Sequence, residues 1–123
     1  MLKNRLIPVI ILKDNLIVQS FNFERFLPIG QMKTAIDFFV SWDVDEIIIL
    51  DIDATKQSRG PQLEVIKQAS KECFVPLTIG GGISSLETIK EVLRAGADKI
   101  SINSYAINNP QFIKDAAKRF GNQ

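Results

Sequence analysis

Three sets of residues in this 123-residue chain have the types and spacing to do chemistry. Asp51 stands at the tip of an Ile-Ile-Ile-Leu run, where a carboxylate is solvated, tied to turn amides, or kept for proton transfer. Asp53 follows it and is expected to be the less inward of the two. The second set is Gly80-Gly81-Gly82, which leaves an apolar run and leads into Ser84-Ser85-Leu86-Glu87. Consecutive glycines let backbone N–H groups approach an anion, and a helix opening behind them adds the positive end of its dipole. The same glycines serve a tight turn equally well, but Asn103 and Ser104, donors at the end of the next apolar run, favour a phosphate site with Gly81 and Gly82. The third set is Arg5, Glu46 and Lys99, each opening an apolar run. Such charges are solvated, or they meet in a ring at the floor if the strands bend into a barrel. With no histidine and one cysteine, Cys73, the chain lacks the groups for Ser-His-Asp triads, imidazole or multi-cysteine metal sites and an intrachain disulfide. Neither a metal nor a cofactor is expected, so carboxylates, lysines, hydroxyls and backbone amides must carry any chemistry.

The elements that position these residues alternate. Near-continuous apolar runs are followed by stretches of helical period, the pattern of parallel strands covered by crossover helices. The first strand is expected over Leu6–Leu12, at a sheet edge because Pro8 offers the ladder no N–H. Met32, Ala35, Ile36, Phe39 and Val40 then form one buried helical stripe. Residues 13–31 between them read as a long loop, whose Phe21, Phe23 and Phe26 are either plugs over the sheet rim or part of a substrate lid. The second strand is Glu46–Ile52, with a helix from about Pro61. The third is Leu77–Ile79, with Ser84 to Glu87 as a capping box. The fourth is Lys99–Asn103, with a helix opening at Asn109-Pro110. The run Val44-Asp45-Glu46-Ile47-Ile48-Ile49 echoes Ala97-Asp98-Lys99-Ile100-Ser101-Ile102, a faint repeat that divides the chain into two similar parts.

Composition bounds the partners. At 46% hydrophobic and 24% charged residues the chain reads as one globular domain, residues 1–123, without a linker or low-complexity tract. Fifteen basic and fourteen acidic side chains, a formal charge of +1, leave no electrostatic footprint for nucleic acid. No apolar run approaches the ~20 residues of a membrane span. The N-terminus lacks signal-peptide order, so a cytoplasmic location is the default expectation.

Together the stretches Lys13-Asp14, Asn22-Phe23-Glu24, Asp45 to Asp51, Ile79-Gly80-Gly81-Gly82-Ile83 and Gly96 to Asn103 resemble the cyclase subunit of imidazole glycerol phosphate synthase. The resemblance covers the whole chain but only the N-terminal half of that family's (β/α)8 TIM barrel. It implies a reaction in which ammonia from a glutaminase partner meets a substrate phosphorylated at both ends. It further implies that Gly82, Asn103 and Ser104 hold one phosphate, that Arg5, Glu46 and Lys99 match three of four gate residues for ammonia, and that Asp98 faces the glutaminase. The family's first-strand acid/base aspartate falls at Ile11 here, and the second catalytic aspartate lies in the half not matched; an aliphatic group cannot transfer a proton. Ile11 also resembles paralogues associated with surface-polysaccharide genes.

The expected fold is therefore an α/β (βα)4 half barrel that closes an eight-stranded ring by two-fold homodimerisation, which hides both edges and the inner apolar face. The expected ligand is a phosphorylated small molecule or inorganic phosphate, with the chain's own copy and a glutaminase as partners. Asp51 is the carboxylate nearest the expected mouth. The alternatives are a non-catalytic structural half barrel or a fragment, and a surface-polysaccharide amidotransferase-associated subunit.

Overall fold

A computed structural model describes residues 3–123. Its four apolar runs form parallel strands in sequence order: β1 (Val9–Lys13), β4 (Ile47–Asp51), β5 (Leu77–Gly80) and β6 (Lys99–Ser101). Two strands absent from the expectation, β2 (Leu16–Phe21) and β3 (Arg25–Gly30), extend the sheet to the order β3-β2-β1-β4-β5-β6. Crossover helices α1 (Met32–Ser41), α2 (Leu63–Glu72) and α3 (Leu86–Ala95) cover one face; α4 (Ser104–Asn108) and α5 (Gln111–Phe120) follow β6. This is half of a (β/α)8 barrel with a hairpin added after the first strand. No helix among the described residues is long and apolar enough to cross a membrane.

Residues 13–31 are thus a β-hairpin rather than a loop. Asp14 and Asn15 both take positive φ, 49° and 63°, in a two-residue turn of the kind whose twist matches paired strands, and Asn22 and Phe23 take 54° and 60° in a second turn, Asn22 to Glu24, closed by the Glu24 N–H on the Phe21 carbonyl at 3.1 Å. Short polar side chains tolerate that region; Phe23 does not, and it is held there with its N–H on Ser20 Oγ at 3.2 Å. The first strand is correspondingly interior, with β4 on one side and β2 pairing Ile11, Leu12 and Lys13 on the other. Pro8 precedes it, and the proline that lies in an edge strand is Pro28 of β3.

Strand alternation assigns the faces. Ile10, Leu12, Ile47, Ile49 and Ile79 point to the helices and form the main core with Ile36, Ile66 and Val92. Ile11, Ile48 and Leu50 point to the opposite, inner face and stay half-buried. The third helix is capped by Ser85, whose Oγ accepts from the Thr88 N–H at 3.1 Å, so the cap lies one residue later than the Ser84–Glu87 box. The fourth strand stops at Ser101, because α4 begins at Ser104, and the last helix begins at Gln111 behind the Pro110 cap.

The echo between the two parts is a repeated structural device. The Asp45 N–H donates to the Leu6 carbonyl at 2.9 Å while its Oδ2 accepts from the Leu6 N–H at 2.7 Å. Asp98 does the same to Leu77, at 2.8 Å in both directions. Each aspartate therefore clamps the start of the neighbouring strand with a reciprocal pair of bonds, β1 to β4 in the first unit and β5 to β6 in the second.

Candidate phosphate mouth and charged floor

At the carboxyl ends of the strands, Asp51 is the hub of a turn. Its Oδ1 accepts the N–H groups of Asp53 and Ala54 at 3.1 and 3.2 Å, and Arg59 grips both oxygens, at 2.7 Å to Oδ2 and 3.1 Å to Oδ1. Gln62 Nε2 adds a fifth donor at 3.3 Å. Asp51 is buried with the helix-facing side chains of β4, and it takes the hydrogen-bonded alternative of the three open to it. The bonded carboxylate holds the Arg59 guanidinium above its already high range. Arg59 and Gln62 carry no motif that marks them in the sequence.

Asp53 corrects the expectation that it would be the less inward. It is as buried as Asp51, in the turn just past the end of β4. Its carboxylate accepts the Asp14 N–H at 3.0 Å and Lys13 Nζ at 3.3 Å, fastening the first hairpin turn to the exit of β4. Burial pushes the Asp53 pKa up, but the Asp14 amide and the Lys13 ammonium outweigh it and hold the carboxyl below its ordinary value. Hydrogen bonds to Asp14 and Asp53 raise the Lys13 pKa in turn. Phe26 lies over Lys13, with 5.4 Å from Nζ to its ring centroid, whereas Phe23 points away and is 80% exposed. One phenylalanine of the hairpin thus covers the rim and another decorates its tip.

The glycines are demanded by packing. A Cβ on Gly81 would come within 2.2 Å of the Asp51 carbonyl, and one on Gly82 within 2.6 Å of the Arg59 carbonyl and 2.7 Å of Ala54 Cβ. Both also have positive φ, 102° and 72°. The turn is therefore wedged against the loop that Asp51 organises. Gly80 pairs with Ser101, so this turn leaves its strand beside the one that carries Asn103 and Ser104, whose residues are exposed at the start of α4. The four expected phosphate residues accordingly lie on two adjacent turns of one mouth. Ile11 sits on the inner face of the same sheet, paired with Leu50 and Val18.

At the opposite ends, Arg5, Glu46 and Lys99 come together in one ion-pair cluster. Glu46 is buried, accepting from Arg5 Nη1 on Oε1 and from Lys99 Nζ on Oε2 at 3.0 Å. The Lys99 hydrogen bond, with the charges of Lys99 and Arg5, outweighs burial and holds the Glu46 carboxyl below its ordinary range. Asp98, exposed at the same end, spends Oδ2 on Leu77.

Against this geometry, a family model described as histidine biosynthesis protein matches residues 5–123. A Vibrio vulnificus protein provisionally named imidazole glycerol phosphate synthase subunit hisF2 is 62% identical over the whole chain, which covers 45% of that protein. One of the same name from Campylobacter jejuni is 50% identical, again over the whole chain and 49% of its own length. The imidazole glycerol phosphate synthase subunit HisF of Clostridium botulinum is 42% identical over 97% of the chain and 47% of its own length. The chain spans about half the length of the curated relatives it matches.

Proposed function

The chain belongs to the histidine biosynthesis protein family, and on that premise we propose that it is a phosphate-binding half barrel of the ammonia-using cyclase type with little or no cyclase activity of its own. The observation that carries the reading is the register Gly80↔Ser101, which sets the Gly81-Gly82 turn beside Asn103 and Ser104. Backbone N–H groups of the glycine turn, with the Asn103 amide and Ser104 hydroxyl, supply donors to one phosphate. A ring closed by two copies would carry this pair of turns twice on one mouth, as a ligand phosphorylated at both ends requires. The floor formed by Arg5, Glu46 and Lys99, with Asp98 at its outer side, is the face for ammonia entry and for a glutaminase subunit.

Low activity follows from Ile11. General acid/base help contributes roughly 10²–10⁴-fold per group, and this side chain has no proton to give. Asp51, whose oxygens already accept five donors, organises the turn that wedges the glycines. The test is titration with inorganic phosphate, followed by chemical shifts of the Gly81, Gly82 and Ser104 amides. Saturable shifts at these amides, weakened by Ser104→Ala and Asn103→Ala, are expected; no saturation, or affinity untouched by both substitutions, overturns the phosphate site. Glycine substitutions do not serve here, because the added Cβ would displace the Asp51 loop whether or not an anion binds. In turnover with ammonia, Ile11→Asp is expected to raise a near-background rate. Turnover by the unaltered chain near that of a working enzyme would sink the catalytic half of the reading.

A further inference from the structure

We infer that Arg59 is the positioning residue of the phosphate mouth: through Asp51 it holds the loop 53–60 as the template that shapes the Gly81-Gly82 turn. The inference rests on the phosphate reading above and names what gives that turn its geometry. The nearest atoms to the turn belong to this loop or to the strand end before it. A Cβ on Gly81 would meet the Asp51 backbone, and one on Gly82 would meet the Arg59 carbonyl, Ala54 Cβ and, at 3.3 Å, the Gly60 carbonyl carbon. The direction of the two glycine N–H groups is therefore set by residues 51–60.

That loop does not hold itself. Its backbone closes through the Gln57 N–H on the Asp53 carbonyl at 2.8 Å and the Arg59 N–H on the Ala54 carbonyl at 3.0 Å. Between them Ser58 takes φ 51°, a left-handed value unfavourable to a residue with a Cβ, and such a conformation persists only where its surroundings fix it. Asp51 supplies the fixing. Its Oδ1 accepts the Asp53 and Ala54 N–H groups at the start of the loop, while the Arg59 guanidinium grips both oxygens from the end. Packing alone would leave the carboxylate loose, because a cavity of about 20 Å³, room for one water, lies beside it between the sheet and α2, lined by Leu12, Ile49, Gln62 and Ile66.

The bonds of Arg59 suit holding rather than binding. Nη1 donates to Asp51 Oδ2 and to the Gly60 carbonyl at 3.3 Å, Nη2 to Asp51 Oδ1, and Nε to Gln57 Oε1 at 2.9 Å. A guanidinium so occupied, with its charge met by a buried carboxylate, has little left to offer an anion. It acts on the phosphate through the loop.

The test is titration of the full chain with inorganic phosphate, read at the Gly81 and Gly82 amides. Arg59→Ala and Arg59→Lys are each expected to weaken binding roughly tenfold, the loss typical when a residue supporting an ion site is removed, with circular dichroism unchanged. Lysine fails here because it keeps the charge but does not span two carboxylate oxygens. Asp51→Asn is expected to cost a similar factor, and Arg59→Ala added to it little more, since both act through one grip. In the unaltered chain the Arg59 Nε–H resonance is expected to stay in place while the glycine amides move, a readout that needs no variant to fold. Full affinity in Arg59→Lys, additive losses in the double variant, or an Nε–H shift as large as those of the glycines would make Arg59 a direct ligand and overturn the inference. Saturable binding indifferent to Arg59→Ala strikes the inference alone, whereas no saturable binding by the unaltered chain strikes the phosphate reading and the inference together.

Discussion

At the scale of single residues, the floor and the mouth are held by charges whose contribution depends on pH. Glu46 and Asp53 have native pKa values below their ordinary ones, 4.5 and 3.8. Such groups stabilise the fold fully above the ordinary value, and the contribution is lost as pH falls through the lowered native one. Glu46→Gln is therefore expected to cost about 1 kcal/mol at neutral pH, a modest figure because Arg5 and Lys99 remain partly solvated. The difference should shrink as pH falls below the ordinary value of 4.5; urea denaturation across that range measures it, and a deficit independent of pH would refute the assignment. Gly81→Ala is expected to cost about 2 kcal/mol or more, since the new Cβ meets backbone and φ is positive. A variant of unchanged melting temperature would mean that the turn is looser than its contacts require.

Among the elements, the hairpin is the part the sequence concealed. Its first turn, Asp14-Asn15, has the right residues, but without glycine it lacks the usual Asn-Gly or Asp-Gly signature, and the Phe23 of the second turn argues against any residue with positive φ. Replacing Phe23 by Gly is expected to stabilise the chain by about 0.5–1 kcal/mol, as the side chain is mostly exposed and its backbone is strained. A loss of stability in thermal melts would show that the ring has a contact of value at the tip. Asp53→Asn is expected to quicken amide exchange in β2 and β3 selectively, because Lys13 and the Asp14 N–H lose their charged anchor. Uniform acceleration across the sheet would contradict that anchoring role. By contrast the four parallel strands were legible, each an apolar run with a helical stripe behind it, and so were the glycine turn and the three floor charges. The partners of Asp51 were not, because Arg59 and Gln62 lie in a loop where no periodicity constrains them. Asp53 was misjudged because its burial comes from the hairpin turn it holds, through Lys13 and the Asp14 N–H, and that hairpin was itself not legible.

For the whole molecule, a sheet with an open β6 edge and a half-buried inner face leaves much apolar surface in water, so stability should rise with protein concentration. The urea midpoint is expected to increase across a hundredfold concentration range; a constant midpoint would mean that one copy stands alone. The two aspartate clamps also measure the hairpin. The first spans 39 residues and the second 21, a difference of 18 (39 − 21), which is the length of the segment 13–30 that holds the hairpin. The first unit is thus the second with one insertion, and the clamp and strand register are the same on both sides of it. A chain lacking residues 13–30 is then expected to keep its helical circular dichroism and cooperative unfolding; an unfolded product would make the hairpin an indispensable part of the scaffold.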